Sequence, residues 1–248
     1  MAGLDVDGVL FDVDDTLVDT RGAFADAMSV LARTYLPHLP AEQHGDVLAV
    51  WRQDVGGHYR AYTRGEVGFR EQRMTRANEL HARFDGPVLD DAGFDAWDGV
   101  FEGAFCAAWR PFPEAREAVE ALVAAGVRVG ALSNAAVEYQ VRKLEVVGLG
   151  DLVPMLVGVD TLGVGKPDPS VYAEASTRLG AAAHRTLYVG DELDIDAMAA
   201  VRAGLRGAWL DRPGARRGGL HLEDADAAHA QGVPVVRSLT ELTALVLG

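Results

Sequence analysis

Apolar residues return with two different periods along this chain. Between about residues 20 and 108 they recur every three to four positions, and segments 25–35, 41–51, 68–84 and 94–109 each carry one apolar face. That pattern predicts amphipathic helices and no strand. From residue 110 onward, short aliphatic runs alternate with helical stretches. Pro113 and Glu114 open a helix that closes at Gly126, and 127–132 then reads as a strand. Further strands are predicted near 155–157, 186–189, 208–210 and 235–236. A buried strand, Gly8-Val9-Leu10-Phe11, also precedes the helical block. Strands alternating with helices predict an α/β fold, a parallel sheet covered on both faces, with the helical block inserted just after the first strand. An insertion there can close over a site at the strand's end, through crossings near residues 18–21 and 109–113.

The first strand empties into Asp12-Val13-Asp14-Asp15-Thr16. Alternation puts Asp12 and Asp14 on one side, at the strand's carboxyl end, where open α/β sheets place their ligands. Two carboxylates in a partly desolvated crevice repel one another, so the pair requires a cation between them or a proton on one. Asp5 and Asp7 have the same spacing, but only residues 1–4 precede them, too few and too mixed for a buried strand.

Three later strands also end in polar residues. Ser133-Asn134 offers a hydroxyl and an amide before a helix start, a cradle for phosphate oxygens, although a serine there also reads as a helix cap. Gly165-Lys166-Pro167-Asp168-Pro169 sets a lysine in a stiff loop before a helix beginning near Ser170, where a lone lysine would otherwise be surface. Tyr188-Val189-Gly190-Asp191-Glu192-Leu193-Asp194-Ile195-Asp196 places four acids directly after a buried strand. Next to an already acidic strand end, a divalent cation explains them better than a solvated loop.

Charge narrows the partners. With 37 acidic and 23 basic residues the net charge is −14, which argues against nucleic acid and anionic membranes as partners and suits a protein that gathers cations. Cys106 is the only cysteine, so no intramolecular disulfide is available and a reducing compartment is expected. No basic leader or long apolar window is evident, so a cytoplasmic location is expected; monomer and homodimer both stay open.

Asp12-Val13-Asp14-Asp15-Thr16, Ser133, Lys166 and Gly190-Asp191 through Asp196, in that order and each after a strand, resemble the four motifs of the haloacid dehalogenase (HAD) superfamily. The resemblance covers residues 5–17 and 110–248, and the helical block is similar to the α-helical cap that one subgroup carries between its first two motifs. It implies a Rossmann-like, doubly wound core of residues 1–17 and 110–248 with an inserted cap of residues 18–109. It also implies a magnesium-dependent phosphatase acting on a small phosphorylated metabolite through an aspartyl phosphate. Asp12 would be the nucleophile, Asp14 the general acid and base, and Thr16 a helper that orients Asp14. Ser133, Asn134 and Lys166 would hold the transferring phosphoryl group. Mg2+ would be held by Asp12, the backbone carbonyl of Asp14 and Asp191, with Asp196 orienting a metal-bound water or Lys166.

The chain departs from the family pattern at Glu192, where a serine or threonine is frequent, and at the extra acid Asp194; both are expected to face water. Haloacid dehalogenases lack an acid at the position of Asp14, which favours a phosphatase over a dehalogenase. A sugar phosphomutase is the alternative within the superfamily, and a non-catalytic binding module the alternative outside it. In the helical block Trp51, His58, Tyr59 and Tyr62 are expected to pack its own helices, and Arg70, Arg73 and Arg76 to form a solvated face.

Overall fold

The computed structural model describes residues 3–216, 218 and 221–248. Strand β1 (Gly8–Phe11) leads into helices α1 (Thr20–Tyr35), α2 (His44–Gln53), α3 (His58–Thr63), α4 (Phe69–Arg83) and α5 (Asp91–Ala107). After them come α6 (Ala115–Ala124), β2 (Arg128–Leu132), α7 (Val137–Val146), β3 (Leu156–Val157), α8 (Val159–Leu162) and α9 (Pro169–Leu179). The chain closes with β4 (Thr186–Gly190), α10 (Met198–Arg202), β5 (Arg206–Leu210), α11 (Ala225–Ala230), β6 (Val235–Val236) and α12 (Leu239–Leu247). Two compact units result, one of Met1–Asp19 with Pro111–Gly248, the other of Thr20–Arg110.

In the first unit a six-stranded sheet has the order β3-β2-β1-β4-β5-β6, and every pairing is parallel. This is the α/β, Rossmann-like architecture that the alternation predicts. Leu10, Leu132 and Tyr188 pack with Val171, Tyr172, Ala175 and Leu179 of α9 and with Ala199 and Ala200 of α10. By alternation Val9 and Phe11 face the other way, so both faces of β1 are apolar and all four of its residues are buried. The strand order reverses at β1, and the register aligns three strand ends there. Phe11 stands opposite Ala131 on β2 and Val189 on β4, so Asp12 lies level with Leu132 and Gly190. Open α/β sheets form their ligand crevice at such a reversal.

The second unit is built on α5. Phe94, Trp97, Phe101 and Phe105 recur at helical spacing and form a stacked ladder, with Trp97 and Phe101 only 7° from parallel at 5.8 Å. Trp51 of α2 joins it 5.7 Å from Trp97, as expected for an aromatic that packs its own unit. The arginines of α4 correct the expected solvated face. Of Arg70, Arg73 and Arg76 only Arg70 is exposed: Arg73 is buried with its guanidinium 4.2 Å from the Phe101 ring, and Arg76 lies 4.1 Å over Trp51. Helix α1 starts earlier than the apolar stripe suggests because Thr20 and Ala23, small and weakly apolar, are buried in its first turn.

Candidate active site

The ladder of β1 continues for one residue past the strand, where Asp12 N donates to Val189 O at 2.8 Å. The chain then folds back on itself. Leu17 and Val18 both donate to Val13 O at 3.0 Å, Asp15 N donates to Val18 O at 2.8 Å, and Asp15 takes a left-handed φ of 59° that aspartate tolerates. This knot fixes Asp12, which is 5 % exposed, at the sheet's edge and leaves Asp14 half-buried beside it.

Lys166 crosses to them from the loop before α9. Its backbone is clasped by Asn134, whose Oδ1 accepts from Lys166 N at 2.6 Å and whose Nδ2 donates to Lys166 O at 3.0 Å. Asn134, expected to meet phosphate oxygens, also has a structural task, since both ends of its amide hold the lysine loop. The buried Lys166 Nζ spends its three donors on Asp12 Oδ1 at 2.7 Å, Asp196 Oδ1 at 2.7 Å and Tyr188 Oη at 2.8 Å. Tyr188 read only as an apolar strand residue in the sequence, yet its hydroxyl also donates to Leu132 O at 3.0 Å and floors the site.

Asp196 arrives through a single turn of π-helix, Leu193–Ala197, an irregularity common at functional sites. Its second oxygen accepts from Glu192 N at 2.9 Å. Gly190 makes room for it, because a Cβ there would lie 2.2 Å from Asp196 Oδ2. Asp191, partly buried, is fixed by its carbonyl, which accepts from Trp209 Nε1 at 2.9 Å. Asp12, Asp191 and Asp196 each bring a carboxylate oxygen within 4.8 Å of the others. Glu192 and Asp194 are not in that group among the described residues. Asp194 Oδ1 is buried and makes no hydrogen bond among the described residues, rather than turning to water as expected.

The electrostatics favour a cation here. Burial, with Asp196 and Asp14 nearby, pushes the Asp12 carboxyl from an ordinary 3.8 up to about 7, although Lys166 pulls the other way. Lys166 is held well above its ordinary value by Asp12 and Asp196 against the opposing effect of burial, so it stays charged. Four carboxylates, Asp12, Asp14, Asp191 and Asp196, thus face two ammonium groups, Lys166 and Lys143. The imbalance, and a donor set made of hard oxygens, fit a divalent ion such as Mg2+.

Asp14 is held by residues that sequence reasoning missed. Lys143 Nζ donates to Asp14 Oδ1 at 2.5 Å and Gln140 Nε2 to Asp14 Oδ2 at 2.6 Å, both from α7. Gln140 Nε2 also donates to Ser133 Oγ at 2.7 Å. Thr16, expected to orient Asp14, does not: its Oγ1 is buried and makes no hydrogen bond among the described residues. Its carbonyl instead accepts from Arg212 Nη2 at 3.1 Å.

A family model of the haloacid dehalogenase-like hydrolases matches residues 6–204. The chain belongs to that family. The phosphoglycolate phosphatase of Aquifex aeolicus is 33% identical over 202 residues, covering 81% of this chain and 82% of its own. The glyceraldehyde 3-phosphate phosphatase of Methanothermobacter thermautotrophicus is 27% identical over 204 residues, 79% of this chain and 82% of that one. Among solved structures, the magnesium-bound HAD-hydrolase YfnB of Bacillus subtilis superposes with a TM-score of 0.77 at 20% identity, covering 98% of this chain and 99% of the other. L-2-haloacid dehalogenase of Xanthobacter autotrophicus reaches 0.75 at 22% identity, again over 98% and 99%. At these identities the structures share the fold with this HAD-like hydrolase, and both phosphatase and dehalogenase chemistry occur on it.

Proposed function

We propose that this hydrolase is a divalent-cation-dependent phosphomonoesterase that cleaves a small phosphorylated metabolite through an aspartyl phosphate on Asp12. The observation that carries the reading is the buried Asp12 carboxylate, gripped by Lys166 on one oxygen only, with Asp14 beside it and Asp191 and Asp196 within reach of a shared cation. The relatives above, both named phosphatases, support the same chemistry. Asp14 separates it from halide displacement, since a departing alkoxide needs a proton and a halide does not.

In the first step Asp12 Oδ2, which accepts no hydrogen bond from the described residues, attacks phosphorus. The bond from phosphorus to the ester oxygen breaks, and Asp14, entering this step in its protonated form, gives that proton to the leaving oxygen and is left as the carboxylate paired with Lys143. In the second step Asp14 takes a proton from water, the water oxygen bonds to phosphorus, and the bond to Asp12 breaks to release phosphate. Lys166 stays beside Asp12 throughout, tempering charge on the transferring group. Ser133 Oγ accepts from Gln140 and, at 3.3 Å, from Ala135 N, so its proton is what it has to offer a phosphoryl oxygen. Asp12, Asp191 and the Asp14 backbone carbonyl would hold Mg2+, which when bound neutralises developing charge on phosphoryl oxygens.

The test is phosphate release from a panel of phosphorylated metabolites, with and without magnesium, beside Asp12→Asn protein. Release that needs magnesium and falls by ~10³-fold or more in the variant is expected. A folded wild type that releases phosphate from no ester, or a variant that keeps its activity, contradicts the reading.

A further inference from the structure

Helix α7 contributes nothing to the four sequence motifs, yet two of its side chains reach into the site. Gln140 and Lys143 stand three residues apart on one helix face, and both are fully buried. A buried lysine is costly unless paired, and Lys143 Nζ finds its anion in Asp14 Oδ1. Gln140 Nε2 divides its two protons between Asp14 Oδ2 and Ser133 Oγ. The amide could not be turned end for end, since Oε1 would then oppose the Asp14 carboxylate; as it stands, Oε1 is buried without a hydrogen-bond partner among the described residues. The helix therefore leaves a buried acceptor unsatisfied in order to aim one donor at two residues of the site, an arrangement packing alone would not select.

We propose that Gln140 and Lys143 are positioning residues that hold the Asp14 carboxylate and the Ser133 hydroxyl in fixed register, so that proton delivery and phosphoryl grip coincide. The proposal rests on the phosphomonoesterase reading. A carboxylate on a half-exposed loop would otherwise explore several rotamers, and misplacing it should harm only the steps in which a proton moves. Ester cleavage should therefore depend on α7 most strongly where the leaving group is poor.

The experiment compares an alkyl phosphate with 2,4-dinitrophenyl phosphate, whose leaving group departs without a proton, in wild type, Lys143→Met and Gln140→Met. Each variant should lose ~30-fold or more in kcat/KM on the alkyl ester and ~3-fold or less in the dinitrophenolate burst. In an Asp14→Asn background, Lys143→Met should cost no further activity on the dinitrophenyl ester, because the lysine acts through Asp14. Gln140→Met removes no charge, so it keeps the test open if Lys143→Met does not fold. Equal losses on the two esters, no loss on either, or undiminished losses in the Asp14→Asn background would overturn the proposal while leaving the phosphatase reading intact. A wild type that cleaves neither ester would overturn both.

Discussion

Two buried cations, Arg73 in the helical unit and Lys166 in the α/β unit, are held in opposite ways. Arg73 lies over the Phe101 ring, and the acids that meet it, Asp98 and Glu102, keep about a third of their side-chain surface in water at 31% and 30%, whereas Asp54, which meets Arg76, is mostly buried. In the α/β unit the anions are the dry partners: Asp12 and Asp196 are buried to within a few per cent, and Lys166 is their shared counter-charge. An arginine whose carboxylates stay wet is packing, since water carries the charge. Buried carboxylates that outnumber their cations are unstable without a further positive charge, and that excess marks the site.

The sharpest way to break this contrast is to remove the shared lysine. Lys166→Met should destabilise the metal-free protein by about 3–5 kcal/mol near neutral pH, because two buried carboxylates lose their partner. Denaturant unfolding measures it, and a loss below about 1 kcal/mol would mean that water already reaches them. Gly190→Ala should cost about 1–3 kcal/mol and weaken divalent-ion binding, since the added methyl takes the place of Asp196 Oδ2. Calorimetric titration with Mg2+ would show it. In the helical unit, Arg73→Met should cost about 1–2 kcal/mol and leave the Mg2+ titration where it was; a shifted titration would tie that unit's packing to the metal site.

Protons sharpen the same contrast. Asp12 keeps its proton up to about pH 7 in the folded chain and only to about 3.8 when unfolded, so between those values the folded state binds more protons. The stability of the metal-free protein contributed by this group is therefore present below about pH 4 and is lost as pH rises toward 7. A divalent cation takes over the proton's role and should raise Tm at pH 8 much more than at pH 5. Equal shifts at the two pH values would remove Asp12 from the cation's neighbours.

What the sequence made legible follows the strands. Apolar runs that end in Asp12, Ser133 and Asp191 can be read because strand, turn and polar end are local, and parallel pairing then brings those ends to one edge. Gln140 and Lys143 could not be read, since they meet Asp14 across 126 and 129 residues and a Gln-Val-Arg-Lys stretch looks like any solvated helix face. Tyr188 was hidden by its own strand, where only the hydroxyl at its tip is functional. Asn134 stood in the right place with a further task that the sequence hid, because nothing local reveals that the Lys166 loop would return to both ends of its amide. The triplet Arg70, Arg73, Arg76 showed a common face but not which way it turns; the aromatic ladder on α5, far along the chain, decides that.

The central claim is that the dry carboxylate Asp12 carries the phosphoryl group. Acid quenching during turnover of a phosphate ester, followed by peptide mass spectrometry, tests it directly. The predicted result is the added mass of one phosphoryl group on the peptide that contains Asp12, lost when Mg2+ is chelated and in Asp12→Asn. Steady turnover with no phosphoryl group on that peptide at any quench time would contradict the claim.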